Sequence, residues 1–598
     1  MKPVLEILEQ RISKALRQTT GLAVCPAIVR PTADGRFGDY QVNGIMPAAK
    51  QLKTNPRQLA EKVVAQMNIS DICQPVEIAG PGFINLRLKP EFLANALLEI
   101  YKDKKLGIEQ TANSQTVVVD YSGPNIAKQM HVGHLRSTII GDCVSRMLEC
   151  LGHNVIRQNH IGDWGTQFGM LIAYFNHFYL NPSIAAHPGQ DHYAVLNDSL
   201  RISDLEDFYR KAKELYDKDP EFAEESRRVV VKLHSHDLAI QSHWQHIVDE
   251  SREHYQPIYK RLNVTLTSKD ECGESVYADK LPDVVKTLKD KKLAVESVGA
   301  ICVFPEGFKS KEGEPLPFIV QKSDGAFLYA TTDLAAIRFR LQDLHANRVI
   351  YVTDARQALH FKMLFAVVKM AGWADESVKL EHVTFGTMLG ADGKPFKTRT
   401  GGTVKLAELL DEAVERAKAV VDEKNPDLPE QQRQKIAQAV GIGAVKYADY
   451  SNNRDSDYIF SFDKMLAMDG NTAPYMQYAY ARIRSIERKA EQEGLNIQKE
   501  LTGICEILLS DPAEQALARQ LIQYSQAILN AAADCRPNYL TGYLYELSQA
   551  FSRFYNVCPV LQSEGQIRAA RLVLCDVTAR TIRHGMTELL GIEVPEQM

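Results

Sequence analysis

The stretch TVVVDYSGPNIAKQMHVGHLRSTIIGD, residues 116–142, restricts the fold more than any other part of the chain. TVVVD is a short β-branched run of the kind that lies in a buried parallel strand. After a loop containing Gly123 and Pro124, the residues Leu135, Ile139, Val144, Leu148 and Leu151 recur at helical spacing, and Gly152 supplies a stop. NVIRQNHIGD then reads as a second strand and turn. Strand, loop, helix and strand in this order open a doubly wound parallel sheet, which takes its ligands at the carboxyl edge of its strands. His131, Gly133 and His134 fall at that edge, where the loop enters the helix.

A helix start offers unpaired N–H groups and a positive dipole end, so it favours an anion. Imidazole N–H groups beside it can donate to phosphate oxygens as charge builds in a transition state. Gly133, without a side chain, lets a flat ring such as adenine approach. A metal is the weaker reading, because His131 and His134 have helix-face spacing but no third ligand is positioned. The bland alternative is two polar histidines at a helix start. A second element, GADGKPFKTRTGG at 390–402, combines glycines with Lys394, Lys397 and Arg399. Alone it is a solvated turn; in one sheet domain with the histidines it is a loop able to close on a polyphosphate.

The rest of the chain sorts into three parts. Residues 1–112 read as an α+β domain: an opening helix, a strand pair around Gly80-Pro81-Gly82 and a closing helix. Residues 113–403 form a Rossmann-like domain, interrupted at about 181–320 by an insertion of helical character. The sheet resumes with FLYATTDLAAIRFRL as strand then helix, NRVIYVTDARQALHFKMLFAVVKMAG as another such unit, and HVTFGTML. Residues 404–598 show helical periodicity throughout and predict an all-α bundle.

A length of 598 residues calls for several domains. The net charge of -5 means that any nucleic-acid site is a local basic surface on an acidic body. Ten cysteines without a CxxC pair argue against a disulfide framework and a structural zinc site, and for a reducing compartment; Cys143 and Cys150 share one helix and are expected on its buried face. MKPVLEILEQRISKAL reads as an amphipathic helix rather than a targeting peptide, and no apolar run reaches membrane-spanning length, so a cytoplasmic protein is expected.

Taken together, S-x-P-N-x-x-K-x-x-H-x-G-H, NHIGDWGTQFG, YATTDLAA, VTDARQALHF and GIEVPEQM resemble, essentially end to end, the arginyl-tRNA synthetases of bacterial type. These are class I aminoacyl-tRNA synthetases; HVGH resembles their HIGH signature, and the loop from Lys394 to Gly401 a degenerate KMSK loop. The resemblance implies ATP-dependent ligation of L-arginine to its tRNA through arginyl-adenylate, with Mg²⁺ accompanying ATP, no structural zinc, bound tRNA needed for the first step, and a monomer. It implies catalytic roles for His131, His134, Lys128 and Lys397. Lys128 matches a lysine that family members with a degenerate KMSK loop carry; alone it is a surface lysine. ATP would meet Gly133, His134, Asp354, His360, Met388, Lys394 and Arg399, with Asp354 and His360 near the ribose and the Met388 backbone near adenine. Which of Lys394, Lys397 and Arg399 acts stays open.

Arginine would meet Asp120, Asn125, His131, Tyr329, Asp333 and Gln357. Residue chemistry points the same way, since a guanidinium needs carboxylates and planar acceptors. Singly, Asp333 is equally a helix N-cap, Tyr329 a core residue and Gln357 a solvated one. The resemblance assigns a D-loop base of tRNA to Phe83 and Asn85 in the first domain and the anticodon to the last, where Tyr475, Tyr478, Arg482, Arg580 and Arg583 supply an aromatic and basic patch; their bland alternatives are a core Phe, a turn Asn and solvated helix faces. The insertion is too small and too helical for a large editing barrel. The competing identities are another HxGH nucleotidyltransferase, a cysteine-activating relative, and a non-catalytic tRNA-binding paralogue.

Overall fold

The computed structural model describes residues 2–32, 34–178, 204–396 and 404–598. The chain divides into two compact units. One gathers Met1–Thr111, Lys418–Tyr447 and Met465–Met598; the other gathers Ala112–Ala417 and Ala448–Lys464. Beyond the expected boundary at 404, residues 418–447 and 465–598 join the first unit, and 448–464 return to the second. The return belongs where it does because Asp449 and Tyr450 are buried against the helix Val132–Cys150.

In the first unit, four short strands, β1 (Val29–Pro31), β2 (Tyr40–Val42), β3 (Glu77–Ala79) and β4 (Phe83–Leu86), form an antiparallel sheet in the order β1-β2-β4-β3. The helix Val4–Thr20 buries Leu8, Ile12 and Leu16, one face at i, i+4 spacing, and stops at Gly21 in the left-handed region. The helices Ala473–Gln492, Pro537–Val557 and Gly565–Arg583 belong to the helical part of this unit. Arg519 pairs with the buried Asp39 at 2.7 Å. Arg580 donates to the carbonyls of Tyr101 and Asp103 at 2.9 and 2.6 Å.

The second unit is built on β5 (Thr116–Asp120), β6 (Asn154–Gln158), β10 (Arg348–Asp354) and β11 (Lys379–Phe385), all parallel in the order β11-β10-β5-β6. Val117, Val118 and Val119 are fully buried, as are Val349, Ile350 and Val352. These are continuous apolar runs because helices cover both faces of such a sheet. Leu334, Ile337, Leu364 and Val367 pack against β5 and β10 with no exposure; each contributes about 1.5–3 kcal/mol of transfer free energy. The helix after β5 lies close on the strand end: a Cβ at Gly141 would come within 2.3 Å of Tyr121.

Three local readings change. The insertion carries the helices Leu205–Lys218, Pro220–His234, Leu238–Arg261 and Leu281–Asp290, but also an antiparallel sheet of β7 (Ala294–Ser297), β8 (Ala300–Val303) and β9 (Phe318–Gln321). β7 and β8 are joined by Val298-Gly299, both at positive φ, the backbone of a tight hairpin turn. FLYAT is not a strand: its place is taken by the helix Tyr329–Gln342, whose Thr331 hydroxyl is bonded to the Val320 carbonyl. In the carboxyl-terminal third, β13 (Tyr458–Ile459) pairs in parallel with β12 (Met388–Leu389). None of the cysteines forms a disulfide; Cys143 is buried and Cys150 half-buried. No helix among the described residues is long and apolar enough to cross a membrane.

Candidate active site

His131 is the N-cap of the helix Val132–Cys150, with extended backbone, and the two histidines build a reciprocal cap. His131 Nδ1 accepts from the Gly133 amide at 3.0 Å, and His134 Nδ1 accepts from the His131 amide at 3.1 Å. The ring centroids lie 4.0 Å apart. An Nδ1 that accepts carries no proton, so each neutral ring holds its proton on Nε2. Burial, then the neighbouring His131, lowers the His134 pKa to about 4; burial, then Lys128, lowers that of His131. Both rings are therefore neutral donors at neutral pH, beside a helix dipole that favours an anion. Gly133 has a nearer reason than the approach of a flat ligand: a Cβ there would stand 2.7 Å from the His131 ring.

A cavity of about 740 Å³ opens at this cap and brings together Asn125, Lys128, His131 and His134 with Tyr209 and Lys405. The Lys128 ammonium sits 4.3 Å from the centre of the Tyr209 ring. Tyr209 and Lys405 were not among the expected site residues; the one sequence signal was the position of Lys405 just after the basic loop. The backbone of 404–406 returns across the cap, with the Val132 amide bonded to the Val404 carbonyl and the Leu406 amide to the Met130 carbonyl. Before it, residues 388–396 form a hairpin whose turn is made by Asp392, which accepts from the Lys394 amide, and by Gly393 at φ 70°. Lys394 is exposed at this turn. Met388, expected near adenine, is buried, and its carbonyl accepts from the Phe396 amide within the hairpin. Lys397 and Arg399 lie outside the described residues.

The carboxyl end of β5 lies beside the middle of β10, with Asp120 paired in register to Tyr351. Asp120 does not face an open crevice: it is buried, and its carboxylate holds the guanidinium of Arg340 at 2.7 Å. Arg340, also fully buried, needs that counter-charge and donates further to Gln158. Asp120, expected to meet arginine, is thus paired here with the chain's own guanidinium. Asp333 is the fifth residue of its helix, beyond the cap position, and its Oδ2 lies 2.6 Å from His360 Nε2. Tyr329 is 66% exposed with its ring 5.2 Å from that of His360. Gln357 is exposed at the start of the next helix, and Asp354 caps the turn before it while pairing with Arg356. His360, expected near the ribose, is therefore bonded to the carboxylate expected for arginine.

A carboxylate absent from the expected set stands close by. Burial, then Asp163 and Asp333, pushes the Glu274 carboxyl up to about 7. Asp163 itself accepts from the amide and hydroxyl of Ser275 at 2.9 and 2.6 Å. Among the described residues, no group of three or more His, Cys, Asp or Glu is arranged to hold a metal ion.

In the first unit, a cavity of about 590 Å³ is lined by Tyr478, Arg482, Arg488, Tyr555 and Met598 among others. The Arg482 guanidinium lies 4.6 Å from the Tyr478 ring and 5.4 Å from the Tyr555 ring. Tyr555 was missed, because it lies on a different helix from the Tyr478 and Arg482 pair. Tyr475 is half-buried, edge-on to Tyr545, and Arg583 is exposed. Arg580 is engaged by the Tyr101 and Asp103 carbonyls and by Asp576 rather than presented as a basic surface; the last carbonyls of a helix attract a cation. Phe83 is half-buried, while Asn85 is buried in β4 and accepts from Gln41 at 3.0 Å, a cross-strand bond in place of a turn.

The family model described as the catalytic domain of class I tRNA synthetases (R) matches residues 95–462. The parallel-sheet unit with its histidine-capped helix is thus that of a class I aminoacyl-tRNA synthetase. The arginyl-tRNA synthetase N-terminal domain matches residues 6–88, and the DALR anticodon binding domain residues 476–598. The arginine–tRNA ligases of Hahella chejuensis and Chromobacterium violaceum are each 51% identical over 593 residues, covering 99% of both chains. Arginyl-tRNA synthetase from Plasmodium falciparum matches over the full length of both chains with a TM-score of 0.84 at 31% identity, and that of Thermus thermophilus with 0.79 at 25%. The chain belongs to the arginyl-tRNA synthetase family.

Proposed function

We infer that the protein ligates L-arginine to its tRNA in two steps at the capped helix. In the first, an arginine carboxylate oxygen attacks the α-phosphorus of ATP, the bond to the bridging oxygen of the β-phosphate breaks, and pyrophosphate leaves with that electron pair. In the second, a hydroxyl of the terminal adenosine attacks the arginyl carbonyl, loses its proton, and AMP leaves. Neither step needs a protein nucleophile; the demands are positioning and stabilisation of charge on phosphorus. Mg²⁺ with ATP supplies part of that stabilisation.

The observation that carries this reading is the reciprocal cap, which commits both Nδ1 atoms inward and leaves two Nε2–H donors at a helix N-terminus. In this reading His131 and His134 donate to phosphate oxygens and Lys128 supplies charge, with Lys394, Lys397 and Arg399 in the basic loop. Asp333 and Tyr329 receive the guanidinium; Asn125 and Gln357 hold the amino-acid end. The Tyr478, Arg482 and Tyr555 cavity suits an unpaired base of the tRNA, stacked on a ring or on a guanidinium plane. Phe83 and Arg583 are further tRNA contacts. The protein acts as a monomer in the cytoplasm.

The test is ATP–pyrophosphate exchange with each amino acid, with and without tRNA. Exchange with arginine alone among the amino acids is expected. Exchange with none of them, even with arginine tRNA present, would end the enzyme reading, and exchange with lysine instead would end the specificity claim.

A further inference from the structure

We propose that His360 is a positioning residue of the guanidinium pocket, which holds the Asp333 carboxylate in place, and not a contact of the ATP ribose. The proposal rests on the reading of Asp333 as the guanidinium ligand. Asp333 projects from the first turns of the helix Tyr329–Gln342, past the cap, so no backbone amide of the helix start fixes it. Its side-chain partner among the described residues is His360 Nε2, 2.6 Å from Oδ2, on the first turn of the helix Ala358–Met370 that follows β10. Both side chains are about one-fifth exposed, at 19% and 20%. That leaves them reachable by a ligand without full hydration.

The imidazole is itself held by rings. Phe318 stacks on it at 5.7 Å and 24°, Phe361 meets it edge-on at 5.5 Å, and Tyr329 lies at 5.2 Å. A ring confined on three sides fixes the direction of its N–H, and that direction fixes the carboxylate. With Oδ2 taken by His360, Oδ1 remains for an N–H of the guanidinium. A two-oxygen acceptor with one oxygen anchored presents the other in a single orientation, which planar guanidinium recognition requires. Glu274, whose carboxyl is pushed up in part by Asp333, adds a second acidic group near Asp333, which favours a cation there.

The test measures the arginine and ATP KM values by pyrophosphate exchange for His360→Ala, His360→Gln, Asp333→Asn and the Ala/Asn double variant. His360→Ala is expected to raise the arginine KM about tenfold, the loss of one hydrogen bond to a charged group, with the ATP KM unchanged. His360→Gln, which keeps a side-chain N–H, is expected to recover most of the loss. In the Asp333→Asn background, His360→Ala is expected to add little. A raised ATP KM with an unchanged arginine KM would return His360 to the ribose and overturn the proposal, as would additive effects in the double variant. An unchanged arginine KM in Asp333→Asn would instead remove the underlying reading of Asp333. Should His360→Ala melt early, His360→Asn, too short to reach Asp333, takes its place.

Discussion

Arg136 Nε lies 2.9 Å from Oδ2 of Asp449, and the two side chains are 2% and 1% exposed. Arg136 stands two residues after His134 on the same helix, roofed by the rings of Tyr458 at 5.2 Å and Phe385 at 5.7 Å. It also donates to the Ser456 carbonyl at 3.2 Å. The short return 448–464 thus clamps the helix that carries the histidines. Removing one partner of a sealed ion pair leaves the other charge buried and alone, which costs about 3–5 kcal/mol. Asp449→Ala is expected to lower the urea midpoint accordingly and to reduce exchange activity. An unshifted midpoint would show that the pair does not hold the helix.

The tautomers at the cap predict an unusual pH response. The His134 pKa of about 4 keeps that ring neutral from pH 6 to 8, and that of His131 is lowered from its ordinary value by burial and by Lys128. Exchange is expected to show no titration attributable to His134 in that range. A rate that falls steeply as pH rises from 6 to 7.5 would mean that a protonated imidazole is required. His134→Ala is expected to slow adenylate formation about a hundredfold, as for loss of a transition-state donor, with tRNA affinity near wild type.

Lys128 and Tyr209 predict a graded series. The ammonium over the phenol ring is held by an interaction of about 0.5–2 kcal/mol. Tyr209→Phe keeps the ring face and is expected to leave exchange intact. Tyr209→Leu is expected to lower it severalfold, and to have no further effect in a Lys128→Met background. Equal losses in the two backgrounds would disconnect Tyr209 from the lysine.

Glu274 predicts a pH-dependent stability with a definite sign. Its carboxyl ordinarily titrates at 4.5 and is pushed up to about 7 in the fold. Between these values the folded protein holds a proton that the unfolded chain has released. The side chain therefore costs nothing below pH 4.5, an increasing amount as pH rises to 7, and a constant amount above. Glu274→Gln removes that cost. In urea titrations it is expected to match wild type near pH 4.5 and to be more stable by about 1–2 kcal/mol at pH 8. A gain of the same size at both pH values would assign the effect to packing.

The class of the catalytic unit was legible where chemistry is local. The valine run of β5, the helix entered at His131 and the hairpin around Gly80–Gly82 each depend on neighbours within a few residues, which periodicity and turn residues report. FLYAT misled because its aromatic and β-branched residues score as strand, whereas burial of the Thr331 hydroxyl against Val320 starts a helix there. The sheet β7-β8-β9 hid in an insertion dominated by charged helices, with only Val298-Gly299 to mark its turn.

What the sequence determined by itself was the kind of site: a strand, a capped helix and two histidines at the anion-binding edge of a parallel sheet. Which carboxylates are available to a ligand was decided only by tertiary structure. Asp120 is engaged by Arg340 across 220 positions of sequence, Asp333 by His360 across 27, and Arg136 by Asp449 through the return of the segment 448–464. The physical reason is the cost of burying charge. A sealed guanidinium or carboxylate must find its counter-charge wherever the packed core brings one, and no spacing along the chain records that meeting.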